Sequence, residues 1–136
     1  MPVDYVIEEC CPSVGEYIHL RKSAGLSARS VEAATRGLAH SWFAVSVRYK
    51  GECIAMGRIV GDDGCVFNVV DIAVLPEYHR QGLGSVIMQR LMDKVHKAAP
   101  PTALVTLLAD GDASRLYEKF GFVKSAPASI GMILRL

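Results

Sequence analysis

Gly82 and Gly84 flank Leu83 in the run His79-Arg80-Gln81-Gly82-Leu83-Gly84-Ser85, between an apolar stretch ending at Leu75 and a helical pattern opening at Ser85. Two glycines at this spacing let backbone come close to a ligand, and the following helical turn offers unpaired N–H groups with partial positive charge. The chemistry this suggests is capture of an anion, with phosphate the first expectation. A dinucleotide fingerprint would need a third glycine where Ile87 stands, and would set the glycines directly after the strand. A P-loop would need Gly-Lys-Ser/Thr, which is absent. Alone, the loop would be a turn joining strand to helix. Three other side chains could carry chemistry. Asn68 and Asp71 interrupt an apolar strand pattern and need partners or a function. Tyr117 offers a phenol, although its neighbours Ala113, Leu116 and Phe120 would suit any packed helix.

The strand, the Pro76-Glu77-Tyr78 turn, the glycine loop and the helix together resemble motif A of the GNAT superfamily of acyl-CoA-dependent N-acetyltransferases, Gln/Arg-x-x-Gly-x-Gly/Ala. His79 departs from it at the first position, which affects one side-chain contact and not a cradle of backbone N–H groups. Downstream, DASRLYEKFGFV from Asp112 to Val123 is similar to the family's motif B, and the two motifs come in the family's order. The resemblance spans roughly residues 42–136. It implies acetyl-CoA as cosubstrate, backbone at Ile72, Ala73 and Val74 pairing with pantetheine, and Arg80, Gln81, Gly82, Leu83, Gly84 and Ser85 holding the pyrophosphate. Tyr117 matches the family tyrosine near the sulfur, which implies a proton donor to the departing thiolate. Asp110 stands where the family often has a cofactor-contacting Asn, and an ionised carboxylate accepts hydrogen bonds but cannot donate them.

Acceptor contacts are also implied by the family. Its N-terminal helix-turn-helix walls the acceptor pocket, which makes Leu26 and Ser27 substrate-site expectations. Strand positions that carry a base in some members correspond to Val70 and Asn68, and neither can act as one. The amine is expected to lose its proton through water, held by Asn68 or by backbone carbonyls. The implied activity is direct transfer of the acetyl group of acetyl-CoA to a primary amine of a small acceptor. The alternative is a non-catalytic acyl-CoA-binding or regulatory module, for which the missing base speaks. A homodimer stays open.

Periodicity places these residues on elements. A strand over 3–8 precedes the capping-box pattern Ser13-Val14-Gly15-Glu16 and a helix stopping near Gly25. A second helix over 28–38 leads to strands over 42–49 and 52–61, joined at Lys50-Gly51, and Asp63-Gly64 signals another hairpin. The strand over 65–75 is apolar on both faces, as a central strand covered by helices should be. Strict alternation along it sets Asn68, Val70, Ile72 and Val74 on one face, with Phe67, Val69, Asp71 and Ala73 on the other, so Asp71 reads as a structural carboxylate. After the helix from Ser85 to about Ala98, an interior strand over 102–108 and a helix with Asp112 as N-cap are expected. Phe122-Val123 should open a strand, and residues 130–136 should supply the last one. One α/β (α+β) domain follows, a mixed, mostly antiparallel sheet with helices on both faces, matching the GNAT fold.

Composition closes off other classes. The 136 residues suit one domain, and 15 Lys plus Arg against 14 Asp plus Glu leave a net charge of +1, no footprint for nucleic acid or an anionic membrane. Apolar runs are too short to span a bilayer, and Asp4, Glu8 and Glu9 fall where a signal peptide would be apolar, so a cytoplasmic protein is expected. Four cysteines form no Cys-x-x-Cys pair and no ligand spacing with the histidines. Reduced, mostly buried thiols are expected, with no metal.

Overall fold

Lys50 and Gly51 both take left-handed backbone, at φ 51° and 81°, the pair of conformations that a tight hairpin turn matched to strand twist requires. They join strand β2 (Phe43–Tyr49) to β3 (Glu52–Gly61). The structure, a computed structural model, describes residues 4–136. Around this hairpin lies a five-stranded sheet in the order β1-β2-β3-β4-β5, where β1 is Val6–Glu8, β4 Val66–Val74 and β5 Leu104–Thr106. Neighbours are antiparallel except β4 and β5. Parallel neighbours need a crossover, and helix α3 (Leu83–Ala98) supplies it. Residue 3, where the first strand is expected to begin, lies outside the described residues.

Gly57 identifies the two faces of the sheet. A Cβ there would collide with Ile87 and Leu91 of α3 and with Ile72, so α3 lies against the face to which Gly57 points. Arg58 points the other way, toward helices α1 (Val14–Ser23) and α2 (Val31–Ala39), bonding Asp71 and the carbonyl of Gly37. The core fills both interfaces: Val45, Ile54, Ile59, Leu20, Ile87 and Leu91 are fully buried, each worth about 1.5–3 kcal/mol over an exposed side chain. Helix α1 starts at the expected capping box, with Ser13 and Glu16 bonding each other's backbone. It ends on Gly25 at φ 78°, where Gly25 N–H meets the Lys22 carbonyl and Leu26 N–H the Arg21 carbonyl, the paired bonds of a Schellman cap. Helix α2 starts later than expected because Ser30 is its cap, accepting from Ala33 N–H.

Four expectations are corrected. The turn between β3 and β4 is organised by Asp62, whose Oδ1 accepts from the N–H groups of Gly64, Cys65 and Val66; Asp63-Gly64 do not form a two-residue hairpin. In β4 the ladder slips between Met56 and Arg58, and Asp71 takes φ 59°. This is a bulge, with Asp71 and Ile72 together opposite Gly57. It breaks the alternation, so Asp71 joins Val70 on the α1–α2 face while Ile72 turns to α3. Helix α3 begins at Leu83 rather than Ser85 because left-handed Gly82, at φ 78°, is its N-cap. Only Cys53 among the four free cysteines is buried, and Cys10 and Cys65 are exposed.

The C-terminal third departs most. Strand β5 is three residues at the sheet edge, not an interior strand. A 3-10 turn (Gly111–Ala113) leads into helix α4 (Ser114–Glu118), and no side chain caps it, so Asp112 is not an N-cap. Phe122-Val123 and residues 130–136 form no strand. A strand exists only where its backbone finds a partner, and among the described residues no strand pairs beyond β5.

Candidate active site

Where β4 ends and α3 begins, the chain makes a pocket of about 300 Å³. Its floor is the end of β4 (Ile72, Ala73, Val74), its rim the loop His79, Arg80, Gly82, Leu83 and Gly84, and its walls Ala24 and Leu26 on one side, Ala113, Leu116 and Tyr117 on the other. The loop's shape comes from two left-handed residues, Arg80 at φ 64° and Gly82 at φ 78°. Arg80 bears the strain of that conformation, whereas Gly82 adopts it freely. A Cβ on Gly82 would meet nothing within 4 Å, while one on Gly84 would press on Leu116 at 3.3 Å. Gly82 is therefore needed for backbone conformation and Gly84 for the approach of α4 to α3. The first bond inside α3 runs from Val86 N–H to the Gly82 carbonyl at 3.0 Å, so the N–H groups ahead of it are free to hold an anion.

Two side chains brace this loop, and neither was legible beforehand. His79 Nε2 lies 3.0 Å from the Val74 carbonyl; a carbonyl only accepts, so this nitrogen carries the proton. Gln81 Oε1 accepts from Tyr5 Oη at 2.6 Å, and Tyr5 packs edge-on against Tyr49 and Tyr78. Gln81 thus turns its side chain toward β1 and away from the pocket. No spacing in the sequence ties Tyr5 to Gln81; only the fold does.

Tyr117 is half-buried on the pocket wall, with Phe122 edge-on to its ring at 6.5 Å. Among the described residues its hydroxyl has no hydrogen-bond partner, and burial followed by the charge of Asp110 raises its pKa. At neutral pH it is a protonated phenol free to donate. Asp110 is near enough for that effect but does not line the pocket.

The other expected site residues are dispersed. Ser27 adjoins the pocket residue Leu26, and its Oγ accepts from Arg21, Arg29 and Arg135 at 3.0, 2.9 and 3.0 Å. Ser85 lies on the first turn of α3 outside the pocket lining. Asn68 lines a separate hollow of about 270 Å³ with Val60, Phe67 and Thr106. Asp71 is buried under α1, where Tyr17 Oη donates at 2.9 Å, Arg58 Nε at 2.7 Å, and Arg21 Nη1 to the other oxygen. No carboxylate lines the pocket among the described residues.

A family model for the acetyltransferase (GNAT) domain matches residues 38–124, which takes in both the loop and the Tyr117 helix. The chain belongs to the GNAT acetyltransferase family. It is 27% identical over 132 residues to an uncharacterized N-acetyltransferase, ycf52, of Porphyra purpurea, covering 94% of this chain and 69% of that one. To the [ribosomal protein bS18]-alanine N-acetyltransferase of Escherichia coli K12 it is 33% identical over 91 residues, 66% of this chain and 60% of that one. A crystal structure of a Staphylococcus aureus protein of unknown function, described as a "probable acetyltransferase", superposes with a TM-score of 0.94 at 39% identity, covering 97% of this chain and 99% of that one. The mixed sheet with its α3 crossover is thus the GNAT fold, and the chain is an acyltransferase by family. Among the described residues no helix is long and apolar enough to cross a membrane, and no group of three or more His, Cys, Asp or Glu could hold a metal.

Proposed function

We propose that this GNAT protein transfers the acetyl group of acetyl-CoA directly to the primary amine of a small acceptor in the cytoplasm. The observation that carries the reading is one pocket in which the α3 N-terminus, the end of β4 and the unpaired Tyr117 hydroxyl meet. The residues fit such a cosubstrate: left-handed Gly82 with open space before it, and free amides at the start of α3, suit a pyrophosphate. Acetyl-CoA, when bound, supplies an activated thioester.

The chain's own part is to orient, donate and exclude. Backbone from Arg80 to Ser85 would hold the anion, and Ile72 to Val74 would align pantetheine, with His79 bracing that strand end through the Val74 carbonyl. Tyr117 Oη would give its proton to the departing sulfur. An ordinary phenol, of pKa about 10, donates modestly uphill to a thiolate whose acid is about 8.5; burial and Asp110 raise Tyr117 above that ordinary value and add to the climb, while the hydrogen bond to the sulfur lowers the barrier. Since no carboxylate lines the pocket, the amine would lose its proton to water. Asn68 receives no support as the holder of that water, because it lies at a separate hollow. Leu26, with Ser27 behind it, would wall the acceptor.

Thiol release from acetyl-CoA with a panel of small amines, beside calorimetry with CoA, tests this. Micromolar CoA binding with amine-dependent release is expected, and the rate per enzyme should rise with pH over at least a unit, as an amine of pKa near 10 deprotonates. CoA binding without release for any amine would favour the non-catalytic module. Absence of CoA binding would sink both.

A further inference from the structure

Ser27, directly behind the pocket residue Leu26, is where positive charge converges. Arg21, 5% exposed, holds it from within: Nε donates to the Ser27 carbonyl at 2.9 Å and Nη2 to Oγ at 3.0 Å. From outside, Arg29 and Arg135 donate to the same Oγ at 2.9 and 3.0 Å. A hydroxyl oxygen has two lone pairs, so three guanidinium groups crowd onto an acceptor that can serve two. Among the described residues the Ser27 hydroxyl proton itself has no acceptor.

The charges are out of balance in the same place. Arg21 and Arg58 share one carboxylate, that of Asp71, and among the described residues neither Arg29 nor Arg135 makes an ion pair. The three nitrogens on Oγ lie no more than about 6 Å from one another, a range at which like charges repel. An oxyanion placed here relieves the repulsion, accepts the surplus N–H groups and takes the Ser27 proton. Guanidinium forks match the paired oxygens of a carboxylate or a phosphate. Neither Ser27 nor the arginines on it share a hydrogen bond with the loop at the α3 N-terminus, so this anion site is distinct from the one that suits a pyrophosphate. It opens instead behind the wall formed by Ala24 and Leu26.

Resting on the acetyl-transfer reading, we propose that the acceptor is a small primary amine carrying its own oxyanion, a carboxylate or a phosphate. Arg29, Arg135 and the Ser27 hydroxyl hold that group while the amine reaches past Leu26 toward the thioester. Arg21 is a positioning residue: it fixes Ser27 through two bonds and is itself oriented by Asp71.

Initial rates with matched amines under saturating acetyl-CoA test this, β-alanine against propylamine and phosphoethanolamine against ethanolamine. The anionic member of at least one pair should have kcat/KM about 30-fold higher or more, and the pair with the larger ratio distinguishes carboxylate from phosphate. In Arg29→Gln with Arg135→Gln the ratio should fall at least about tenfold, through KM rather than kcat. Both side chains are exposed, and melting temperature with CoA calorimetry checks that the double variant is folded. Equal use of both members of each pair, or a preference that survives the double variant, overturns the proposal. So does a parallel loss of CoA affinity, which would give the arginines to the cosubstrate's own phosphates. If no amine is acetylated, the acetyl-transfer reading fails by itself, and calorimetry with inorganic phosphate in the presence of CoA still decides the oxyanion site. Saturable binding weakened at least about tenfold in the double variant supports the site; no binding, or equal binding to both proteins, overturns it.

Discussion

Asp71 and Tyr117 stand on two regions that share β4, and they differ in what their polar atoms have to bond. Under α1, Asp71 accepts from Tyr17 and Arg58 through one oxygen and from Arg21 through the other, so this carboxylate is held and satisfied by its own fold. On the pocket wall, the Tyr117 hydroxyl has nothing to bond among the described residues, while burial and Asp110 keep it protonated. A polar group satisfied by its own fold reads as structure, and one left unsatisfied beside a pocket reads as a place for a ligand. The contrast also accounts for Asp71 staying out of the pocket, which no carboxylate lines among the described residues: it is committed to holding α1 on the sheet.

The largest expected effect comes from breaking the satisfied side. Asp71→Asn keeps the shape, and Asn tolerates φ 59°, but it leaves the Arg21 and Arg58 charges without a counterion. Loss of one partner in a buried ion pair costs about 3–5 kcal/mol, so urea melts should show a drop of about 3 kcal/mol or more with residual turnover in what stays folded. Abolished turnover with a normal melt would make Asp71 the base and erase the contrast.

Tyr117→Phe is the reciprocal experiment. The ring keeps its contact with Phe122, and only an unpaired hydroxyl is lost, so stability and CoA affinity should hardly move while turnover falls about 100-fold. Parallel losses in melting temperature and rate would make Tyr117 a packing residue.

How much of this could be read beforehand depends on the range of the interactions. Ser13 and Glu16, Lys50-Gly51, Gly25 and the glycine loop act within a few residues of themselves, and each appears where its local chemistry puts it. The Asp71 bulge does not, because it depends on Gly57 across the ladder and on arginines from α1 and β3. A one-residue slip reverses every later side chain, so the alternation that set Asp71 apart from Val70 fails at the residue it was meant to judge. The Tyr5 to Gln81 brace is equally non-local. Residues 130–136 have strand composition without a strand, because pairing needs an edge that the arm does not meet in its own chain.

The loop gives a sharper test of the pocket side. Gly82→Val has room for its side chain but must hold φ 78°, a conformation that costs a β-branched residue about 1–3 kcal/mol. CoA binding should weaken by about 2 kcal/mol in calorimetry, the fold surviving because Gly82 lies outside the core. Unchanged affinity would remove the α3 N-terminus from the site.

The smallest effect belongs to Glu16, a second satisfied carboxylate on the α1 side but nearer solvent. The hydrogen bond from Arg48 lowers its pKa to about 2, burial opposes that shift, and the Ser13 N–H adds to it. Its folded pKa lies below the unfolded value near 4.5, so its contribution is present above about pH 4.5 and is lost as pH falls toward 2. Equilibrium melts between pH 5 and pH 2 should therefore show stability declining with acid, and Glu16→Gln should flatten part of that decline while lowering stability at pH 7 by about 1 kcal/mol or less, since Glu16 and Arg48 are both partly open to water and the Gln amide still caps α1. Tyr117 turnover measured at pH 7 should not respond to this variant. If it did, the α1 face and the pocket would be coupled, and the division between a structural and a chemical side of β4 would have to be given up.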